Sequence, residues 1–257
     1  MLSALLSGWS SGRFSLPGDV CGLSDEVTMK IHGFQKLTLL DYPGHTACTV
    51  FLAGCDLRCP FCHNSGLLDA SEPPVMDDSE LIAFLRKRVG LLDGVVFTGG
   101  EPLLNRDLPE VMEKIRGMGF RIKLDTNGMH PEALQTVLDG GLADYAAMDI
   151  KNSRDRYAAS VGLDTVDLGR IDRSISLLMG RAPDYEFRTT VVDQMHDEDS
   201  FRDIGQWIRG AKRYFLQAFT DRDSVPVRGL FAPDAGQMER YASIVRPFVG
   251  EVSMRGV

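Results

Sequence analysis

Three cysteines fall within eight residues of this chain, Cys55, Cys59 and Cys62 in AGCDLRCPFCHNSG, and the run supplies no fourth thiol. A thiolate-held iron–sulfur cluster ordinarily takes four cysteines. Three leave one iron with an open position that a small molecule can fill, as catalytic zinc sites keep an open position where structural ones are closed. A zinc knuckle completed by His63 or Cys48 is the plainer reading. It lacks the second Cys-x2-Cys or His-x3-His half that such sites are built from.

A chain of 257 residues with 44% hydrophobic content can bury one barrel-sized α/β core or two small ones. Its net charge of −8 argues against a nucleic-acid partner, which asks for a basic face against phosphate. No apolar run approaches the roughly 20 residues of a membrane span, so no membrane partner is expected either. Five cysteines, an odd number with three too close together for a disulfide framework, point to a reducing, cytoplasmic setting. Residues 1–28 are rich in Ser and Gly and lack the charged start and long apolar run of a secretory signal. They are expected to be a disordered extension or a misassigned translation start ahead of Met29, with the working domain at 29–257. Cys21, inside this stretch, receives no role.

From Met29 onward short β-like runs alternate with helical ones, the mark of parallel βα units. The pattern predicts strands at 46–52, 94–98, 120–124, 145–150, 185–192 and 214–219. Asp77 and Asp78 offer an N-cap to a helix whose face is Leu81, Ile82, Leu85 and Val89. Leu108, Val111, Met112, Ile115 and Met118 repeat at helical spacing, with Gly119 where a C′ residue belongs. Further helices are predicted at 131–138 and 171–178, around Phe201, Ile204 and Ile208, and around Met238, Tyr241, Ile244 and Val245. The methionines read as core filling and Cys48, within the first strand, as a small buried hydrophobe. Six βα units fall short of the eight of a closed barrel. The expected fold class is therefore α/β, a partial, open (β/α)6 TIM-like barrel.

Such folds place their sites beyond the C-terminal ends of the strands, and the polar residues gather there. The second strand runs into Gly99-Gly100-Glu101-Pro102, where glycines let the backbone approach a ligand without Cβ interference. The third ends in Asp125-Thr126-Asn127-Gly128 and the fourth in Asp149-Ile150-Lys151. Without a ligand, the first of these is an Asx or type I′ turn and the second a surface ion pair. Arg188 is a long cation in the otherwise apolar fifth strand, YEFRTTVV. An unpaired buried charge is costly, so it should reach a carboxylate. His32, His45 and His130 look like surface or turn residues.

The spacing Cys-x3-Cys-x2-Cys, with Phe61 just before the last cysteine and a GGEP segment on the next strand, resembles the radical S-adenosylmethionine (radical SAM) superfamily. The resemblance implies a [4Fe–4S] cluster on Cys55, Cys59 and Cys62, with the methionine end of S-adenosylmethionine on the open iron. It places Phe61, Gly99, Gly100, Glu101, Asp125, Asn127, Asp149, Lys151 and Arg188 on the S-adenosylmethionine side. The chemistry is reasonable, because a zwitterionic sulfonium needs carboxylates for its ammonium and a cation for its carboxylate. After the fifth and sixth strands, where adenine and ribose contacts are expected, Asp193-Gln194-Met195-His196 and Phe219-Thr220 depart from the pattern of pyruvate formate-lyase activases. His63 and Asn64 are expected to shape the cysteine loop.

Within the superfamily, GFQKLTLLDYPG, the Cys-His-Asn after the third cluster cysteine, GGEP, DTNG and MDIK resemble the anaerobic ribonucleoside-triphosphate reductase activating proteins. That implies an anaerobic oxidoreductase that creates a glycyl radical on a partner reductase and is itself reduced by flavodoxin or ferredoxin. With Cys21 and Cys48 alone left over, no auxiliary cluster is expected. A pyruvate formate-lyase activase, a small-molecule radical SAM enzyme such as a deazapurine synthase, and a non-catalytic metal-binding interaction protein are the alternatives. The last has no use for GGEP, DTNG and DIK at strand ends.

Overall fold

The computed structural model describes residues 28–256, so all but the last residue of the N-terminal extension, and Cys21 with it, lies outside the described residues. In chain order the elements are β1 (Lys30–Ile31), β2 (Gly33–Thr38), β3 (Ala47–Leu52), β4 (Met76–Asp77) and α1 (Asp78–Arg86). There follow β5 (Gly94–Gly99), α2 (Leu108–Gly117), β6 (Arg121–Thr126), α3 (Pro131–Asp139), β7 (Tyr145–Asp149) and α4 (Tyr157–Ser160). The chain ends with α5 (Leu168–Arg181), β8 (Tyr185–Val191), α6 (Glu198–Trp207), β9 (Arg213–Ala218), α7 (Ala235–Val245) and β10 (Glu251–Arg255).

The six predicted strands are β3, β5, β6, β7, β8 and β9, side by side and parallel in one sheet. Two edge strands extend it to the order β10-β9-β8-β7-β6-β5-β3-β2, with β10 parallel and β2 antiparallel to its neighbour. The edges do not pair, so the sheet is an open, partial barrel with helices on its outside. The edge strands escape sequence periodicity because they are half-solvated: half of the β2 residues are exposed and β10 has no fully buried residue.

The strands alternate between two environments. Val50, Val95, Phe97, Ile122, Leu124, Met148, Phe187 and Leu216 face the helices and join Leu81, Val111, Leu134, Ile171, Phe201 and Ile204 in one core. Each large apolar side chain buried there contributes about 1.5–3 kcal/mol. The other face points into the barrel. Tyr42, Ala47, Val96, Tyr145 and Ala147 plug its lower end, and polar residues fill the rest. Cys48 is on the helix side and fully buried, as its small apolar character suggests.

Helix ends follow their caps. Asp77 and Glu80 form a reciprocal capping box at α1, and Asp197 with Ser200 does the same at α6. Gly119, at φ 90°, takes the left-handed C′ position after α2. Val89, predicted on the buried face of α1, lies beyond its end and is 58% exposed, because the helix stops at Arg86 and the chain turns at Gly90 with φ 75°. The predicted 171–178 helix is longer, since the Asp167 side chain caps it from Gly169 N and starts it at Leu168. No helix among the described residues is long and apolar enough to cross a membrane.

Candidate active site

The three cysteines hang from the end of β3 over the strand ends, and the backbone there is tightly sewn. Gly100 N donates to Leu52 O at 2.8 Å and Glu101 N to Gly54 O at 2.7 Å. The Asn64 amide donates to Gly99 O at 3.0 Å, and Arg58 N to Val161 O at 2.8 Å. A Cβ on Gly99, whose φ is 118°, would collide with the Leu52 backbone, and one on Gly100 with the Gly54 carbonyl. The glycines of GGEP thus serve the approach of two loops to each other, where the sequence suggested the approach of a ligand. Gly100→Ala is expected to cost about 2 kcal/mol, in the range of overpacked sites, and to lower the iron bound on reconstitution. Denaturation and iron assays that match the wild type would show that the loops can separate freely.

Cys55, Cys59 and Cys62 are unpaired thiols lining one cavity. Burial pushes the Cys59 thiol up to about 11 and raises that of Cys55. At neutral pH the Cys55 and Cys59 thiols hold their protons unless an electropositive centre ionises them. No three His, Cys, Asp or Glu side chains among the described residues converge on a point that could hold one metal ion. A zinc knuckle gathers four donors about 2.0–2.3 Å from a single ion, whereas a cluster spreads its thiolates over several irons. The two fourth ligands that knuckle would need are otherwise engaged: Cys48 is on the helix side of β3, and His63, though it lines the cavity, pairs its Nε2 with Thr220 O at 2.7 Å while its ring stacks on Phe219. The donor set fits a cluster with three protein ligands.

Below the cysteines a chain of charges crosses the cavity. Arg188 Nη2 lies 3.1 Å from Asp125 Oδ2 and its Nε donates to Asp149 Oδ1 at 2.5 Å. Lys151 Nζ donates to the other Asp149 oxygen at 2.8 Å, and Lys123 Nζ to Asp125. Arg188 therefore reaches not one carboxylate but two, and Asp149 with Lys151 is a cavity pair instead of a surface one. Burial works to raise the Asp149 carboxyl, but Arg188 and Lys151 outweigh it and hold the group well below its ordinary value; Asp125 is lowered by Arg188 and Lys123 in the same way. Burial works to lower the Lys151 ammonium, and Asp149 and Cys59 together raise it instead. Asp125, Asp149, Lys151 and Arg188 are thus held in their charged forms, with the Lys123 side chain against Asp125. Lys123, Thr190 and Gln217 share this interior and escaped notice in the sequence. Strand parity is the signal: Lys123 stands two before Asp125, and Thr190 two after Arg188.

Phe61, Gly99, Gly100, Asp125, Asn127, Asp149, Lys151 and Arg188 all line the cavity, but Glu101 does not. Its fully buried carboxylate accepts from Thr126 Oγ1 (3.0 Å), Leu103 N (3.1 Å) and Asn127 N (2.6 Å), and burial pushes it up to about 7. It braces the end of β6 from behind the wall. DTNG forms the Asx turn its sequence allows, with Met129 N donating to Asn127 Oδ1 at 2.9 Å. The Asn127 amide faces the cysteine loop, 3.0 Å from Asp56 Oδ1 and 3.8 Å from Cys55 Sγ. His130, read as a surface or turn residue, is half-buried with Nε2 3.1 Å from Asp56 Oδ2, so it too ties the end of β6 to that loop. His196 is buried, its Nε2 3.0 Å from the Lys151 carbonyl.

A three-cysteine loop above a charged cavity at the strand ends of an open barrel defines a class of cofactor enzyme, and comparison with known proteins identifies it. The family model of the radical SAM superfamily matches residues 49–205, and the chain belongs to that superfamily. Its cofactors are a [4Fe–4S] cluster and S-adenosylmethionine, the cluster supplying when bound the electron that cleaves the sulfonium. Similar proteins include one of Methanocaldococcus jannaschii assigned as a glycyl-radical enzyme activating enzyme, 29% identical over 88% of this chain and 96% of its own length. A 7-carboxy-7-deazaguanine synthase of Thermococcus kodakarensis is 32% identical over 40% of this chain and 48% of its own length. A pyruvate formate-lyase-activating enzyme of Clostridium pasteurianum is 30% identical over 50% of this chain and 55% of its own length. The crystal structure of Streptococcus suis SuiB bound to S-adenosylmethionine shares the fold, with a TM-score of 0.59 at 12% identity over 80% of this chain and 51% of that one.

Proposed function

We propose that this radical SAM enzyme activates a glycyl radical enzyme, and that its target is an anaerobic ribonucleoside-triphosphate reductase. The observation that carries the activase reading is the end-to-end match with the M. jannaschii protein, whereas the deazaguanine synthase match spans 40% of the chain. The choice of reductase rests on GFQKLTLLDYPG, the Cys-His-Asn, DTNG and MDIK, taken together.

In this reading Cys55, Cys59 and Cys62 hold the cluster. Asp125, Asp149, Lys151 and Arg188 meet the charged methionine end of S-adenosylmethionine, Phe61 walls the cavity, and Gly99 and Gly100 fix its rim. Glu101 and Asn127 hold the end of β6 in place. Thr190 and Gln217 occupy the side where adenine and ribose contacts are sought. One electron from flavodoxin or ferredoxin enters, one hydrogen atom leaves a glycine Cα of the partner, and methionine and 5′-deoxyadenosine are released. The protein's part is positioning and exclusion of water. The gap between β2 and β10 gives a glycine-bearing loop a way in.

The test mixes the reduced protein with S-adenosylmethionine and its cognate anaerobic reductase and records the electron paramagnetic resonance spectrum. A glycyl doublet is expected on the reductase, lost when that glycine is replaced by alanine and absent with Cys59→Ala activase. Turnover of a free small molecule with no doublet would favour the synthase reading. A doublet on pyruvate formate-lyase but not on the reductase would move the target.

A further inference from the structure

Among the described residues, four buried side-chain polar atoms lack a hydrogen-bond partner, and one is the hydroxyl of Tyr157. This residue opens α4, which is fastened onto the cysteine loop. Arg58 N donates to Val161 O at 2.8 Å, and a Cβ at Gly162 would strike the Arg58 carbonyl. The Tyr157 ring is fully buried, with Trp207 edge-on against it at 5.7 Å, and belongs to the same core cluster as Cys59.

The ionisable groups that act on the hydroxyl are Lys151, Cys59 and Asp149. Lys151 and Asp149 answer each other. The Lys151 backbone favours the ionised Tyr157 oxygen, as a donor would, and no acceptor among the described residues meets the O–H proton. Cys59 is the one buried cysteine of the three, and no hydrogen bond of the described residues ends on its sulfur, whereas Cys55 Sγ takes the Asn127 amide. A buried donor without an acceptor and a buried sulfur without a donor thus belong to one core, joined where α4 is fastened to Arg58, the residue before Cys59. An unmet buried hydroxyl costs free energy that phenylalanine, with the same ring, avoids.

We propose that Tyr157 is kept for the cluster-loaded protein, in which its hydroxyl donates to the Cys59 thiolate and raises the reduction potential of the centre. The proposal rests on Cys59 being a cluster ligand. Sulfur gains negative charge on reduction, so a donor to it stabilises the reduced form more than the oxidised one, and hydrogen bonds to sulfur are among the levers that set such potentials. Tyr157 acts through Cys59 and touches no substrate.

Tyr157→Phe removes the O–H and keeps the ring. Reconstituted anaerobically, the variant is expected to bind as much iron as the wild type. Its midpoint potential should fall by about 59 mV, a tenfold change in a one-electron equilibrium. An exchangeable proton coupling should also vanish from the pulsed resonance spectrum of the reduced centre. The apoprotein should resist denaturant as well as the wild type or better, since the orphaned hydroxyl is gone. If phenylalanine disturbs folding, fluorotyrosine at position 157, a stronger donor, should shift the potential upward. An unchanged midpoint in the fully loaded variants overturns the proposal. Cys59→Ala separates this result from the ligand assignment: a full cluster without Cys59 overturns both, while loss of the cluster beside a silent Tyr157→Phe overturns the Tyr157 role alone.

Discussion

Cys55→Ala, Cys59→Ala and Cys62→Ala are each expected to abolish S-adenosylmethionine cleavage, while Cys48→Ala leaves it nearly intact. The wild type, reconstituted without oxygen, should carry about four irons per chain, and each of the three variants should lose most of that iron and its absorption. The effect is large because the loop has no spare donor. His63 is committed to Thr220 and Phe219, and Cys48 points to the helices. Burial also raises the Cys55 and Cys59 thiols, so each variant keeps at least one thiol that holds its proton once the centre is lost. Cleavage at wild-type rate in any of the three would remove that cysteine from the ligand set. Tightly held zinc with no iron chromophore would return the loop to the knuckle reading.

Arg188→Met should be the most damaging single change away from the cysteines. The guanidinium is the link between Asp125 and Asp149, and breaking a buried ion pair from one side typically costs about 3–5 kcal/mol. Each carboxylate keeps one lysine, which places the expected loss near the lower end. The pH dependence has a definite sign. Both carboxylates are depressed below their ordinary 3.8, so the stability they supply is present above that pH and fades as acid protonates them in the folded protein. The gap between wild type and variant should therefore be widest near neutrality and narrow as the pH is taken below about 3.8. A gap that stays constant on acidification would mean that Arg188 stabilises by packing instead of charge.

The two kinds of residue were unequally visible in the sequence, for physical reasons. The cysteine spacing, the period-2 strands and the helix caps are local patterns, so six parallel strands and the loop carrying Cys55, Cys59 and Cys62 could be placed without coordinates. Asp125, Asp149, Lys151 and Arg188 were visible for the same reason, as charges at or inside apolar strands. Their partnership was not, because Arg188 meets Asp149 across 39 residues of chain. Lys123 was equally encoded by parity in RIKLDT and simply went unread. Glycines 99 and 100 stand where a glycine pair was expected, yet the close approach they allow is between two backbones, Leu52 to Gly54 on one side and GGEP on the other.

What no local pattern could decide is which way a side chain turns once the barrel curls. Glu101 looks like its neighbours in sequence and faces away from the cavity. His130 looks like a turn residue and reaches the cysteine loop. Tyr157 sits in a single helical turn too short to show a period, and its unpartnered hydroxyl is evident only once α4 is packed in the core. The α/β alternation, the cysteine loop and the charges at the strand ends follow from the sequence alone, because those depend on spacing along one chain. The open edges, the brace behind the wall and the pairing of the charges were decided by tertiary structure, because each requires two distant segments to meet and one partner to win over others of equal chemistry.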